Sequence, residues 1–551
     1  MTSLRTGGRI LVDQLVAQGC DRVFTVPGES FLAVLDALHD TPAIEVVTCR
    51  QEGGAAFMAC ADGTLTHRPG VAFVTRGPGA TNAAIGVHVA HQDSQPMILF
   101  IGDVDRGTRD REAFQEIDFA AMFAPLCKWA ARIDDARRIP EYVARAYATA
   151  VSGRPGPVVL ALPEDMLLDA VEATDRARVD RVAQDVDADT LDRLRDLLAT
   201  AERPLAIVGG AGWDTAAAAN AFADWATRAG VPVAAAFRRQ DAIANDCPAY
   251  AGNLGYGPNP ALVARVRDAD LLLVVGARLG EATTDGYALV TPDHPGQRLV
   301  HVHPDPAELH RVYATDLAIC AGMAEFAEAL VPLDGGAHPH AAEARRDYEA
   351  WTVPQPRDGV ALDLGPCVAA MREALPADTI ICNGAGNFSG WWHRYWRYAG
   401  PGTQLAPTAG AMGYGLPAAV AAALRKPGRS VVAVAGDGDF LMNGQELATA
   451  VQHHADLLVI VVDNGTYGTI RMHQEREYPD RPAATRLRNP DFAALARAYG
   501  ATAETVEHTA DFAPALDRLR AVAGVRLLHC RTDIEQITPA TTLTAIKQRT
   551  L

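Results

Sequence analysis

At 551 residues the chain is too long for a single hydrophobic core and predicts about three domains of roughly 150–200 residues each. Hydrophobic residues at 49% and charged residues at 21% describe an ordinary globular protein, and a net charge of −17 argues against nucleic acid or an anionic membrane as partner. Nine cysteines lie scattered without a CxxC pair, so they read as small core residues of a reducing compartment and exclude a zinc or disulfide framework.

The N-terminal stretch carries Arg5, Arg9 and Asp13 and has no apolar run long enough for a signal peptide, which makes a cytoplasmic location the expectation. From there helix and strand patterns alternate: helix 7–18, strand 22–26, helix 29–38, strand 44–49, helix 52–63, strand 71–75, helix 80–91, strand 97–101, helix 139–151 and strand 157–161. A polar, Asp- and Arg-rich stretch over 172–190 reads as a linker. A second α/β block covers 190–335, with strands at 204–208, 231–235, 270–275 and 298–303, and a Pro-, Gly- and His-rich segment over 333–359 reads as a second linker. The third block covers 360–535. Its uncharged run 405–424 contains Pro, Gly and Thr and reads as packed interior, not as a membrane span. Residues 536–551 read as a docking tail. The expected fold is α/β, three doubly wound domains with parallel sheets over 1–172, 190–335 and 360–535.

The third block holds the most specific pattern. A buried strand over 429–435 runs into Gly436-Asp437-Gly438-Asp439; Asn443-Gly444-Gln445-Glu446 then has the form of a capping box opening a helix to about residue 454. A second buried strand over 457–462 ends at Asp463-Asn464-Gly465-Thr466. A right-handed βαβ crossover brings the carboxyl ends of both strands together, where open α/β sheets bind ligands. Asp437 and Asn464 can then aim a carboxylate and an amide oxygen at one point, as Mg²⁺ shared with a diphosphate requires, while the glycines admit a phosphate close to the backbone. Taken singly, Gly-Asp-Gly is also just a tight turn; the matching Asn at the next strand end is what favours a ligand site.

These paired motifs resemble the thiamin diphosphate (ThDP) signature, with Asp463 in place of its first Asn and Asn464 keeping the second, metal-binding one. Such chemistry needs a carboxylic acid beside the aminopyrimidine ring, and Glu52 is the candidate: it stands at a strand-to-helix turn, between Gln51 and Gly53-Gly54-Ala55-Ala56, where an apolar pocket would raise its pKa. The plainer alternative is an acid placed favourably at a helix N-terminus. Arg50-Gln51-Glu52-Gly53-Gly54-Ala55-Ala56 resembles the Arg-His-Glu-Gln-Gly-Ala segment of acetolactate synthase-like ThDP enzymes, and Thr75 to Asn82, Asp93 to Pro96, Ala113 to Glu116 and the Lys128 position match in order. In the third block Gly410 to Pro417 matches the segment gripping the aminopyrimidine, and Gly384 to Asn387 the loop flanking the diphosphate.

The resemblance spans all three blocks and implies a pyrimidine-binding, a central and a diphosphate-binding domain. It implies Glu52 and Gln115 as catalytic residues. Cofactor contacts would come from Pro27, Glu52, Asn82, Gly386, Asn387, Gly410, Met412, Gly436, Asp437, Gly438, Asp439, Asn464, Thr466, Tyr467 and Gly468, with Met412 wedging the cofactor into its V shape. Mg²⁺ would be held by Asp437, Asn464 and the Thr466 carbonyl, and the substrate pocket formed by Glu29, Arg76, Phe114, Lys128 and His473. Active sites between subunits of a homodimer or homotetramer are implied, with a small 2-oxo acid as substrate.

The departures are equally specific. His473 stands where acetolactate synthases carry Trp, Glu29 follows Pro27-Gly28, and Arg76 replaces Ser, where it would meet either an anionic substrate or an ion-pair partner. In the central block Val275 to Glu281 is shorter in charge than the Arg-Phe-Asp-Asp-Arg run of flavin-binding relatives, which speaks against FAD, and Gly209-Gly210-Ala211-Gly212 lacks the full dinucleotide fingerprint. His301 and His303 share a strand face without an evident third metal ligand, and His453-His454 sits at a helix end, where positive charge is favoured. The expected activity is decarboxylation of a 2-oxo acid with joining to a second carbonyl. The alternatives are a non-ligating decarboxylase or an aldehyde lyase of the benzaldehyde lyase kind, a cofactor-binding regulatory subunit, and an NAD- or flavin-dependent oxidoreductase built on the central block.

Overall fold

A computed structural model of the chain describes residues 4–213, 215–293, 296–333 and 338–550. Residues 334–337 of the second linker, like 1–3 and Leu551, lie outside the described residues. The chain is α/β, and three six-stranded sheets, parallel throughout, carry it.

Two compact units divide the chain: residues 1–182 with 416–427 and 443–455, and residues 183–415 with 428–442 and 456–551. In the first unit the sheet runs, in spatial order, Glu45–Thr48, Arg22–Thr25, Gly70–Val74, Met97–Asp103, Pro157–Pro163 and Trp129–Arg132. Numbered along the chain this order is 2-1-3-4-6-5. Strands such as Met97–Asp103 are buried along their whole length and apolar over 97–101, as expected of parallel strands covered on both faces. A short antiparallel pair, Arg5–Thr6 with Ala170–Val171, ties the two ends of this segment together. Two helices from far along the sequence belong to this unit. Arg425, ending the helix Gly415–Arg425, donates from Nε to Asp62 at 2.7 Å and from Nη1 to Asp21 at 2.7 Å. The second helix, Glu446–Gln452, packs on the end of strand Glu45–Thr48.

The second unit holds two sheets. The central one runs Tyr250–Asn253, Val233–Ala235, Pro204–Val208, Leu271–Val275, Arg298–His303 and Leu317–Cys320, an order of 3-2-1-4-5-6. The third runs Gln404–Leu405, Ile380–Asn383, Val431–Gly436, Leu457–Asp463, Val525–Arg531 and Thr502–Val506. Its order, 2-1-3-4-6-5, repeats that of the first sheet, so the outer two blocks share a topology that the central one does not. Asp241 joins the central and third sheets inside this unit: buried, it accepts the Gly402 amide at 3.0 Å and the Gln404 amide at 3.2 Å, and burial raises its pKa to about 6.

Most expected elements form within a few residues of their predicted bounds. The capping box does not. A helix begins at once at Asp437 (Asp437–Asn443), and the next, Glu446–Gln452, has Gln445 as N-cap with no side-chain cap bond, because the Glu446 carboxylate is drawn to the Arg50 amide instead. All nine cysteines are free thiols. Among the described residues no helix is long and apolar enough to cross a membrane.

Candidate active site

The reversal of strand order in the third sheet falls between Ile380–Asn383 and Val431–Gly436, where a crevice opens at the carboxyl ends. A cavity of about 270 Å³ lies there. Gly386, Asn387, Gly410, Met412, Gly436, Asp437, Gly438, Asp439, Asn464, Thr466, Tyr467 and Gly468 all line it, so the second unit gathers these sequence-predicted residues from four loops.

Each loop is fixed by local chemistry. Asp437 opens a helix, with Oδ1 accepting the Gly438 amide at 2.9 Å and Oδ2 accepting Asn489 Nδ2 at 2.8 Å. The same Asn489 amide donates to Asp463 Oδ1 at 2.7 Å, and Asp463 Oδ2 faces His529 Nε2 at 2.9 Å. Burial raises the Asp437 pKa to about 6; burial acts on Asp463 too, but the bonds from His529, Asn489 and the Gly465 amide outweigh it and hold that carboxyl below its usual range. Asn464 Oδ1 accepts the Thr466 amide at 3.2 Å, and Thr466 is anchored by its hydroxyl to the Thr485 carbonyl at 2.8 Å.

Asp439 braces two loops at once: its Oδ1 accepts the Ala385 amide at 3.1 Å and the Gly413 amide at 2.8 Å. A side chain on Gly384 would meet that oxygen at 2.1 Å, so glycine is obligatory there. Burial raises the Asp439 pKa to about 7, and its Oδ2 is buried with no hydrogen-bond partner. Asn387 and Thr469 close a small ring, the Thr469 hydroxyl accepting the Asn387 amide at 3.1 Å and donating to its Oδ1 at 2.9 Å. Gly410 has φ +69, a conformation that a side chain would strain, and open space where its Cβ would stand. Met412 is 40% exposed, so it is a cavity wall and not core filler.

This cradle fits a diphosphate and Mg²⁺. It offers hard oxygens (one carboxylate, one amide, one backbone carbonyl), loops whose glycines keep backbone amides accessible, and an orphaned buried carboxyl oxygen. Among the described residues no cluster of three or more His, Cys, Asp or Glu could hold a metal by side chains alone.

In the first unit the reversal falls between Arg22–Thr25 and Gly70–Val74. Pro27, Glu29 and Arg76 follow these strands. Arg76 is buried and paired with Glu29 Oε1 at 2.9 Å and with Glu164, a partner that the sequence had not suggested. Glu52 opens the helix Glu52–Thr66, whose N-cap Gln51 accepts the Gly54 amide at 3.0 Å. Its Oε2 accepts Asn82 Nδ2 at 2.9 Å, and a side chain on Gly79 would stand at ordinary contact distance, 3.6 Å, from its Oε1. Gln115 has φ +65 and accepts the Gly77 amide through its carbonyl at 3.0 Å; Phe114 beside it is 73% exposed.

Two predicted pocket residues are engaged elsewhere. Lys128 Nζ donates to the carbonyls of Ser152 (2.5 Å) and Arg154 (2.9 Å), tying that loop down. In the second unit His473 is exposed, with Nδ1 facing Arg476 at 2.5 Å, and does not line the cavity. In the central block His301 Nε2 meets the Ala277 carbonyl at 2.9 Å and His303 Nδ1 accepts the Asp305 amide at 3.0 Å, which gives one ring nitrogen of each imidazole a backbone partner. His453 accepts the Thr48 amide at 3.1 Å through Nε2, and burial lowers its pKa, so it serves as a neutral acceptor, not as a charge at a helix end.

The comparisons with known proteins agree with this geometry. Residues 5–122 match the N-terminal TPP binding domain of thiamine pyrophosphate enzymes, 191–330 the central domain and 384–530 the C-terminal TPP binding domain. The acetolactate synthase isozyme 2 large subunit of Escherichia coli (strain K12) is 30% identical over 537 residues, 97% of either chain. The acetolactate synthase large subunit of Parasynechococcus marenigrum is 32% identical over 90% of this chain and 82% of its own, and a probable one of Methanocaldococcus jannaschii is 29% identical over 91% and 87%. With three domain models in order and full-length likeness to acetolactate synthase large subunits, the chain belongs to the thiamine pyrophosphate enzymes.

Proposed function

We propose that the chain is a ThDP- and Mg²⁺-dependent enzyme that decarboxylates a 2-oxo acid and joins the remaining carbon unit to a second carbonyl, as acetolactate synthases do. The observation that carries this reading is the braced cradle around Asp437, Asn464 and Met412 in a chain that resembles acetolactate synthase large subunits from end to end. Asp437, Asn464 and the Thr466 carbonyl hold Mg²⁺; the backbone around Gly386, Asn387, Gly436, Gly438, Asp439 and Gly468 holds the diphosphate, with Tyr467 beside it. Gly410 and Met412 support the aminopyrimidine. ThDP, when bound, supplies the electron sink for the carbon that loses CO₂.

Glu52 holds the proton exchanged with the aminopyrimidine, its other oxygen fixed by Asn82. Gln115, Phe114, Pro27 and the Glu29–Arg76–Glu164 group border the substrate. Because two carboxylates already balance Arg76, substrate selection falls to shape and to neutral donors such as Gln115 more than to a free cation. The working form is a cytoplasmic homodimer or homotetramer with active sites completed between subunits, and the domains span 1–172, 190–335 and 360–535, with a tail over 536–551. No step calls for FAD; a bleachable yellow chromophore in the purified protein would count against that part of the reading.

The deciding assay incubates the protein, ThDP and Mg²⁺ with a panel of 2-oxo acids, following CO₂ and condensed products. CO₂ together with a 2-hydroxy-3-oxo acid, or another α-hydroxy ketone, is the expected result. CO₂ with only an aldehyde would make the chain a simple decarboxylase, and no turnover of any oxo acid would favour a regulatory role.

A further inference from the structure

The helix Glu446–Gln452 comes from the third block of the sequence yet lies in the first unit, and one face of it is committed to a three-residue stretch of backbone. Glu446, fully buried, accepts the Arg50 amide at 3.1 Å and 3.3 Å through its two carboxyl oxygens. Thr449, one turn on, donates its hydroxyl to Glu446 Oε2 at 2.6 Å and stands 3.5 Å from the Thr48 carbonyl. His453, a further turn on, accepts the Thr48 amide at 3.1 Å, and Gln452 accepts from the Arg50 guanidinium at 2.5 Å. Strand Glu45–Thr48 ends at this stretch and helix Glu52–Thr66 begins two residues after it. A side chain on Gly54 would lie 2.6 Å from Glu446 Oε1, so the carboxylate is seated directly against the first turn of the helix that Glu52 opens.

We propose that Glu446 is a positioning residue for Glu52, a buried carboxylate that clamps the Thr48–Arg50 backbone and thereby fixes where the Glu52 side chain points. The inference rests on the reading of Glu52 as the group that activates the cofactor. A carboxylate accepting a backbone amide makes a stronger, more directional bond than a neutral acceptor, and a buried amide deprived of its acceptor moves to find another. Displacement of a catalytic group by about 1 Å costs roughly a hundredfold.

The test loads intact protein with ThDP and Mg²⁺ and follows hydrogen–deuterium exchange at the cofactor C2 by quenched NMR, with amide exchange of the peptide over residues 48–56 as a readout independent of cofactor chemistry. Glu446→Ala should slow C2 exchange by roughly 10–100-fold, speed amide exchange at 49–51 by about tenfold, and leave ThDP and Mg²⁺ dissociation constants within about threefold. Glu446→Gln, which keeps one acceptor oxygen, should restore most of the C2 rate. Should the alanine variant fail to fold, Glu446→Asp keeps the charge but withdraws it by one methylene from Arg50, and should slow C2 exchange likewise. A folded, loaded Glu446→Ala or Glu446→Asp protein exchanging C2 at the parent rate overturns the proposal. Glu52→Gln in the same assay separates the two ideas: if it retains exchange, the role of Glu52 falls, whereas if it loses exchange and the Glu446 variants do not, only the clamp falls.

Discussion

In the central sheet the strand order reverses between Pro204–Val208 and Leu271–Val275, and in the third sheet between Ile380–Asn383 and Val431–Gly436. Both are six parallel strands in one unit, and the two reversal points are used differently. In the central sheet the strand ends close on one another: a side chain on Gly210 would meet the Gly276 carbonyl at 1.9 Å, one on Gly276 would meet Met323, and His301 and His303 are buried beside them on backbone partners. In the third sheet the strand ends are held apart by braces, Asp439 between the 385 and 413 loops and Asn489 between two carboxylates, and a cavity remains. A doubly wound sheet offers a crevice at its reversal point. Whether a ligand site results depends on what the loops do with it, and here the difference lies in buried acids that accept backbone amides across the gap.

The largest expected effect tests the open end. Asp437→Ala removes the one carboxylate offered to the cation, and should weaken Mg²⁺ binding in the presence of ThDP beyond the roughly 10–100-fold that a supporting residue is worth; calorimetry of Mg²⁺ binding checks it, and near-parent affinity would put the cation elsewhere. The closed end responds to acid instead. Burial, with His301 close by, lowers the His303 pKa from 6.5 to about 4. Between those values the unfolded chain carries a proton at this site that the folded one does not, so the contribution of His303 to stability is fully present above about pH 6.5 and is lost as pH falls toward 4, by roughly 3 kcal/mol. Denaturant unfolding across pH 4–7 of the parent and of His303→Asn measures it as the difference between the two slopes, the variant losing less stability toward acid. An unchanged slope would mean that the imidazole finds solvent or a new acceptor when protonated.

The interior strands and the glycine-rich turns were legible because each is a local pattern: apolar β-branched runs such as Leu457–Asp463 end in residues that only a turn tolerates. Of the edge strands only Glu45–Thr48 was legible in the same way. Tyr250–Asn253, Leu317–Cys320 and Trp129–Arg132 are four residues each, and Gly252 or the charge of Arg132 blurs their alternation. Asn443 to Glu446 met every local requirement of a capping box and still failed, since the Arg50 amide, nearly 400 positions away, offers Glu446 a better-buried partner. The cavity residues could be named from their motifs, but the groups that hold them could not: Asn489 lies in a polar loop, and His529 reaches Asp463 only because Val525–Arg531 pairs in register with Leu457–Asp463. Glu164 as partner of Arg76 is of the same kind.

A smaller and more discriminating effect is expected at Asn489. Its amide group spends one hydrogen on Asp437 Oδ2 and the other on Asp463 Oδ1, at 2.8 and 2.7 Å, and so keeps two carboxylates at a fixed separation with a donor between them. Asn489→Ala leaves the acids facing each other with no donor between them; their repulsion turns Asp437 away from the orientation that Gly438 alone sustains. Mg²⁺ affinity should fall by roughly tenfold, the low end of what such supporting residues contribute. If like charge is the cause, the loss should shrink when Asp463 is first made Asn, since one charge of the pair is then gone, and a double-mutant cycle on Mg²⁺ affinity should return a coupling of about 1 kcal/mol. Additive losses would instead mean that Asn489 acts on Asp437 by hydrogen bonding alone, with no part played by the Asp463 charge.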